Sequence, residues 1–355
     1  MISELVAAIL IAVLAIYAIF AGADFGGGLW DLLAGGDRRG RPARQLIDET
    51  ITPVWEANHV WLIFALVIFW TAFPVAFAAV MTVAALPLWL ATLGIVLRGT
   101  GFAFRKEVQG LRWERPLGVT FAFSSLLTPF FMGTVVGCVA AGKVSLDGQH
   151  STLAAWTNPT SLLTGSLFVA VCGYMAAIFL IGEAARRGDH RSKRYFRHRA
   201  TLASMVAGAL SIATVTELHH SNHALYEGLT GRALPLLVLG AACGLAVLAL
   251  LALERSTGLR ALSGIGVAAV VWGWGVGQYP TLLPGTGLTL ANGSAPHATL
   301  VMVVAVFGAA GLLVVPGFLL LFRLQARQIL SPTPSTRRAE QSAVHEGVDD
   351  VCERR

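Results

Sequence analysis

Two acidic residues stand where a chain this apolar seldom keeps a charge. Asp24 lies in Ala21-Gly22-Ala23-Asp24-Phe25-Gly26-Gly27-Gly28, late in the first apolar run. Glu56 lies in Pro53-Val54-Trp55-Glu56-Ala57-Asn58-His59-Val60-Trp61, at the start of the second. Ionisable groups are costly inside a membrane, so each is a functional candidate by default. A carboxyl removed from water can exchange protons near neutral pH. The chemistry to expect of the pair is therefore proton relay. Each residue also has a plainer reading. Asp24 would be a hydrogen-bonded break in a helix beside three glycines, and Glu56 would just reach the headgroups.

The neighbours extend the pattern. Asn58 and His59 fall near the level of Glu56, and His59 could titrate or order water or simply bond within the bundle. Trp55 and Trp61 read either as interfacial belt residues or as a stacking face for a quinone or lipid. Gly26, Gly27 and Gly28 permit close helix approach. They are no phosphate loop, since no strand precedes them. Glu217, His219, His220 and His223 end the sixth apolar run. His219 and His223 share an i, i+4 spacing, but the order His-Glu-x-x-His is absent, and solvated or structural histidines are expected over a metal. Arg98 and Arg105 close the third run and are expected to anchor its end. Glu183 and Glu107 sit beside basic loops and should be ion-paired. No pair of buried histidines suggests haem ligation by this chain.

The elements that must hold these residues follow from composition. The chain has 355 residues, of which 55% are hydrophobic and 13% charged, against roughly 25% charged in soluble domains. Mean hydropathy is +0.68. These values exclude a soluble enzyme, a disordered chain and a secreted disulfide scaffold. Cys138, Cys172 and Cys243 fall in apolar stretches and Cys352 in the polar tail, which is neither a disulfide framework nor a zinc spacing. No cleaved signal peptide is expected, because no basic residue precedes the first run. The basic balance reads as topology signal rather than nucleic-acid binding, because Lys and Arg punctuate apolar runs.

A bilayer core of about 30 Å takes about 20 apolar helical residues. Nine such runs are present: Leu5 to Leu33, Val54 to Phe73, Val75 to Leu97, Leu117 to Ala141, Ser161 to Ile181, Thr201 to Thr216, Leu234 to Leu253, Leu262 to Tyr279 and Ala298 to Phe322. All should be helices, since lipid leaves backbone groups no other partner. With the N-terminus outside and the C-terminus cytoplasmic, every Lys and Arg but Lys143 and Arg232, out of 26, lies on the inner side, as the positive-inside rule requires. The expected fold is an all-α polytopic membrane protein with nine transmembrane helices. Residues 1–327 form the membrane domain, and 328–355 a polar cytoplasmic tail expected to be disordered. Asp24 and Glu56 then share a depth near the inner face.

The two hallmark stretches, Gly22 to Gly28 and Pro53 to Ile63, resemble those of subunit II of cytochrome bd-type quinol oxidases, a family that includes a cyanide-insensitive branch. The similarity continues through Arg98 to Trp113 and the late Gly287-Leu288-Thr289-Leu290 stretch. The resemblance implies a nine-helix subunit in a bacterial cytoplasmic membrane, paired with a larger subunit I. That partner would carry two b-type haems and one d-type haem, oxidise quinol and reduce dioxygen to water. This chain would bind no haem and would help deliver cytoplasmic protons through Asp24 and Glu56. The position of Trp55 contacts a structural quinone in some members, and a small accessory subunit accompanies some. Several members carry Asp where this chain has Glu56; the carboxyl is kept on a longer stem. The competing reading from the residues alone is a secondary transporter or channel binding a cation or proton at Asp24 and Glu56, with Gly26 to Gly28 marking a broken helix.

Overall fold

The computed structural model describes residues 1–35, 37–107, 114–147 and 152–326. It is helical almost throughout. In chain order the helices are α1 (Ile2–Leu32), α2 (Asp37–Ala72), α3 (Pro74–Val83), α4 (Ala85–Glu107), α5 (Glu114–Ala140), α6 (Thr152–Trp156), α7 (Pro159–Arg186), α8 (His190–Ser221), α9 (His223–Thr230), α10 (Leu234–Ala252), α11 (Leu259–Gln278) and α12 (His297–Ala326). One small departure from the all-α expectation follows α11. Strands β1 (Thr281–Leu283) and β2 (Leu288–Thr289) pair antiparallel between the eighth and ninth expected runs.

Six of the described helices are individually long and apolar enough to cross a membrane, and seven spans result if a bent pair counts as one. That pair, Asn58–Ala72 with Pro74–Val83, turns through 118°. Phe73 precedes Pro74 and sits at φ −133°, ψ 58°, because a residue before proline is driven out of the helical region. The third expected helix, Val75 to Leu97, is divided into α3 and α4 at Ala84. Pro87 explains the break: it has no N–H to return to Val83, four residues back. The ladder resumes at once, with Leu88 N–H donating to Ala84 O at 3.0 Å.

Two helices outrun their apolar stretches. Helices α2 and α8 have 36 and 32 residues, roughly 54 and 48 Å at 1.5 Å per residue, well beyond a 30 Å core. The basic segments at 38–44 and 190–199 are thus helical extensions rather than loops.

Met1–Leu300 forms one compact unit and the chain from Val301 a second. Within the first, α1 is the central post, packed against α2, α5, α7 and α11. Ala21 to Gly28 are buried without interruption, so that stretch is enclosed on every side. Gly26 allows this: an added Cβ would lie 1.9 Å from the Cys172 carbonyl oxygen of α7. The main core lies around α7, where Met175, Ile178 and Ile181 meet Phe196 of α8 and Val247 of α10. The outside is apolar too. Trp70, Trp89, Ile212 and Leu245 are each more than 60% exposed, which in water would be a liability and in lipid is the expected surface. The chain is an integral membrane protein. The expected tail, 328–355, lies outside the described residues.

Candidate functional site

Four helices bring one polar side chain each to a single point in this apolar bundle. Asp24 comes from α1, Asn58 from α2, Arg98 from α4 and Ser125 from α5, and all four are at most 1% exposed. Arg98 Nη2 donates to Asp24 Oδ1 at 2.6 Å and to the Asp24 carbonyl at 2.8 Å. Arg98 Nη1 donates to Ser125 Oγ, and Ser125 Oγ is also within 2.6 Å of the Phe121 carbonyl one turn back. Asn58 Nδ2 donates to Asp24 Oδ2 at 3.2 Å. Both carboxylate oxygens of Asp24 are therefore engaged.

The guanidinium is also sandwiched by rings. Its central carbon lies 4.4 Å from the Phe121 ring centroid and 5.1 Å from that of Phe25, within the range of cation–π attraction. Taking two charges from water costs several kcal/mol per ion, which only close geometry and further hydrogen bonds offset. Here the two hydrogen bonds from Nη2 to Asp24, the hydroxyl of Ser125 and the two rings supply them. Gly28 makes the approach feasible: a Cβ there would lie 2.0 Å from Ser125 Oγ and 3.0 Å from Arg98 Nη1. Asn58 Oδ1 and Arg98 Nε are buried without a hydrogen-bond partner among the described residues.

The sequence-based expectations fare unevenly. Asp24 is buried, and its carboxylate accepts from Asn58 of α2. His59, next on α2, is half-buried. Gly26, Gly27 and Gly28 are buried, and Gly26 and Gly28 are close-approach points. Glu56 and Trp55 lie on α2, with side chains outside those described. Arg98 was expected to anchor an inner helix end; instead it is fully buried and holds Asp24. The signal for it was present: a carboxylate inside a membrane needs a cation, and Arg98 directly follows the apolar run ending at Leu97.

The other ionisable groups form separate clusters. Glu183 binds Arg186 and Arg187, and Arg187 also reaches Glu49. Glu107 lies outside the described side chains. His219 and His223 are exposed, with ring centroids 5.0 Å apart, and pack around Tyr226; His223 Nε2 is 3.4 Å from Glu227. Among the described residues, no three His, Cys, Asp or Glu side chains assemble as metal ligands.

Residues 2–325 match the family described as cytochrome bd terminal oxidase subunit II. The chain belongs to that family. Among its relatives, the cytochrome bd ubiquinol oxidase subunit 2 of Bacillus subtilis is 28% identical over 194 residues, 52% of this chain and 56% of that protein. The cytochrome bd-I ubiquinol oxidase subunit 2 of Escherichia coli K12 is 25% identical over 208 residues, 55% of this chain and 52% of that one. These matches span about half the length of the curated relatives. A chain in the structure of bd oxidase from Geobacillus thermodenitrificans superposes with a TM-score of 0.74 at 21% identity, covering 91% of this chain and 98% of that chain. The two share a fold.

Proposed function

We propose that this chain is the haem-free subunit II of a bd-type terminal quinol oxidase in a bacterial cytoplasmic membrane. It crosses the membrane nine times, with the N-terminus outside and the C-terminus inside, and ends in a polar tail over 328–355. Its partner is subunit I, which carries two b-type haems and one d-type haem, oxidises quinol and reduces dioxygen to water. A small accessory subunit completes some such assemblies. This chain supports the haem subunit and passes cytoplasmic protons towards it through Glu56, His59, Asn58 and Asp24. Trp55 contacts a structural quinone or lipid.

One observation carries the proton role. Asp24 is fully buried, and its carboxylate is held by Asn58, two residues beyond Glu56 on the same helix. A polar link therefore runs from α2 to α1, with the buried Arg98 of α4 as the cation that holds Asp24. The family membership supports the oxidase reading, and no observation favours a transporter.

The test is turnover of the purified complex. Asp24→Asn and Glu56→Gln should each slow dioxygen consumption by about tenfold or more, against the ~10²–10⁴ typical of general acid–base groups. Haem content should stay near normal in Glu56→Gln. Asp24→Asn, which leaves Arg98 without its carboxylate, should also lower stability, so its turnover is compared per haem. Glu56→Asp, which keeps the carboxyl, should be milder. Wild-type turnover in both neutral variants would refute the proton role.

A further inference from the structure

A cleft lined by two arginines lies apart from the Asp24 site. The last turn of α7, the α10–α11 connection and the first turn of α11 line an open surface cleft of about 320 Å³, formed by Gly182, Arg186, Ser256, Gly258, Arg260 and Ala261. No carboxylate is among these lining residues.

Arg260 is seated there by the fold. Its Nη2 donates to the Phe179 carbonyl at 2.7 Å, and its guanidinium carbon lies 4.6 Å from the centroid of the Phe179 ring. Gly182 leaves room for it, since a Cβ at that position would meet the guanidinium at 2.7–2.8 Å. The acceptor that Arg260 has is thus a neutral carbonyl. Nearby carboxylates are already paired, one of them with a cleft residue, Arg186. Glu183 binds Arg186 and Arg187, and Glu254 binds Arg197 at 2.5 Å. Arg186 spends one nitrogen on Glu183 and keeps its remaining donors, with a side chain 65% exposed.

The same cleft receives the start of α11. Gly258 is its N-cap, at φ 84°, and offers no side chain to the first-turn N–H groups. Such a terminus favours an anion. Two guanidiniums, the Ser256 hydroxyl and this terminus therefore share one cleft. It lies at the C-terminal end of α7 and the N-terminal end of α11. Basic pockets between membrane helices bind acidic headgroups by this chemistry, and a guanidinium fork matches phosphate oxygens.

We infer that this cleft binds a phosphate group, either that of an anionic phospholipid headgroup or free phosphate. The site stands independently of the oxidase reading.

The test uses the full chain, with whatever co-purifies, in mild detergent. Native mass spectrometry would measure retained phosphatidylglycerol against phosphatidylcholine of the same acyl chains. Thermal unfolding would be followed with inorganic phosphate. The wild type should prefer phosphatidylglycerol. Each lost guanidinium should lower that retention about fivefold, the equivalent of about 1 kcal/mol per basic residue. Arg186→Gln/Arg260→Gln therefore shows the largest loss, and Arg260→Lys, which keeps charge without the fork, a smaller one. Arg191→Gln/Arg194→Gln on α8 should change little. A phosphate-induced rise in unfolding temperature that the double variant abolishes assigns the site to free phosphate. Its absence, with lipid preference intact, assigns it to the lipid. If the double variant fails to fold, Arg260→Lys and the wild-type preference decide. Equal retention of both lipids with no phosphate effect overturns the proposal. So does an equal loss in the α8 variant, which would mark diffuse electrostatics.

Discussion

Arg98 is among the largest fully buried side chains of the chain, and its removal would strand the Asp24 carboxylate. Arg98→Gln should therefore destabilise the protein by about 3–5 kcal/mol, the usual cost of breaking a buried pair from one side. Adding Asp24→Asn should restore part of that loss, because the two residues share one interaction and their effects cannot add. Thermal unfolding of the two single variants and the double variant measures the coupling; strictly additive losses would argue against the pair. Asp24 was legible in the sequence as a candidate because a carboxyl in an apolar run is costly. Arg98 was not. It stands just beyond such a run, where a basic residue normally anchors a helix end. Its partner is 74 positions away, across a contact that no local pattern encodes. Asn58 was legible only as a residue at the right depth, and Ser125 left no signal distinguishing it from any other helical serine.

At the level of elements, helix α1 depends on bare backbone. Gly26→Ala would push a methyl group into the Cys172 carbonyl of α7, which cannot swing aside as a flexible side chain would. A loss of about 1–3 kcal/mol or more is expected from such overpacking. Gly208→Ala on α8 is the contrasting case. Nothing lies within 4 Å of its added Cβ, so better helix propensity should stabilise by about 0.5–1 kcal/mol. Unfolding curves that rank the two variants alike would contradict the packing described for α1.

Helix α8 begins with Asp189, whose side chain accepts from the Ser192 N–H at 3.0 Å. Hydrogen bonds from Ser192, side chain and backbone, hold this carboxyl below its usual range. The cap's contribution is therefore complete above the ordinary carboxylate range and is lost as pH falls through the lowered folded value. Asp189→Ala should cost about 1 kcal/mol near neutral pH and progressively less in acid, as the wild type loses its own cap. This cap also explains why α8 starts at His190 when the apolar run starts near Thr201. Polar and basic residues do not oppose a helix; they only hide it from a hydropathy reading. The same holds for the extension of α2 back to Asp37. Pro87, which divides α3 from α4, was visible in the sequence, but a proline in an apolar run does not reveal whether the helix bends or breaks.

For the whole molecule, the all-helical membrane character was legible because lipid demands length and hydropathy of each span. Of the nine expected spans, six, or seven with the bent pair, stand among the described residues. Labelling single cysteines in intact cells tests the arrangement proposed from charge. Positions beside Lys143 and Arg232 should react with an impermeant reagent, and positions beside Arg191 and Arg255 should not. The reverse pattern would overturn the orientation and, with it, the inner-face placement of Asp24. The central claim is that this chain is the haem-free half of a haem oxidase. The most direct measurement is a reduced-minus-oxidised absorption spectrum of whatever co-purifies with the chain in mild detergent. Bands of b- and d-type haem, present only when a second large subunit is present, are the predicted result. A partnerless, haem-free preparation from native membranes, with the chain intact, would contradict it.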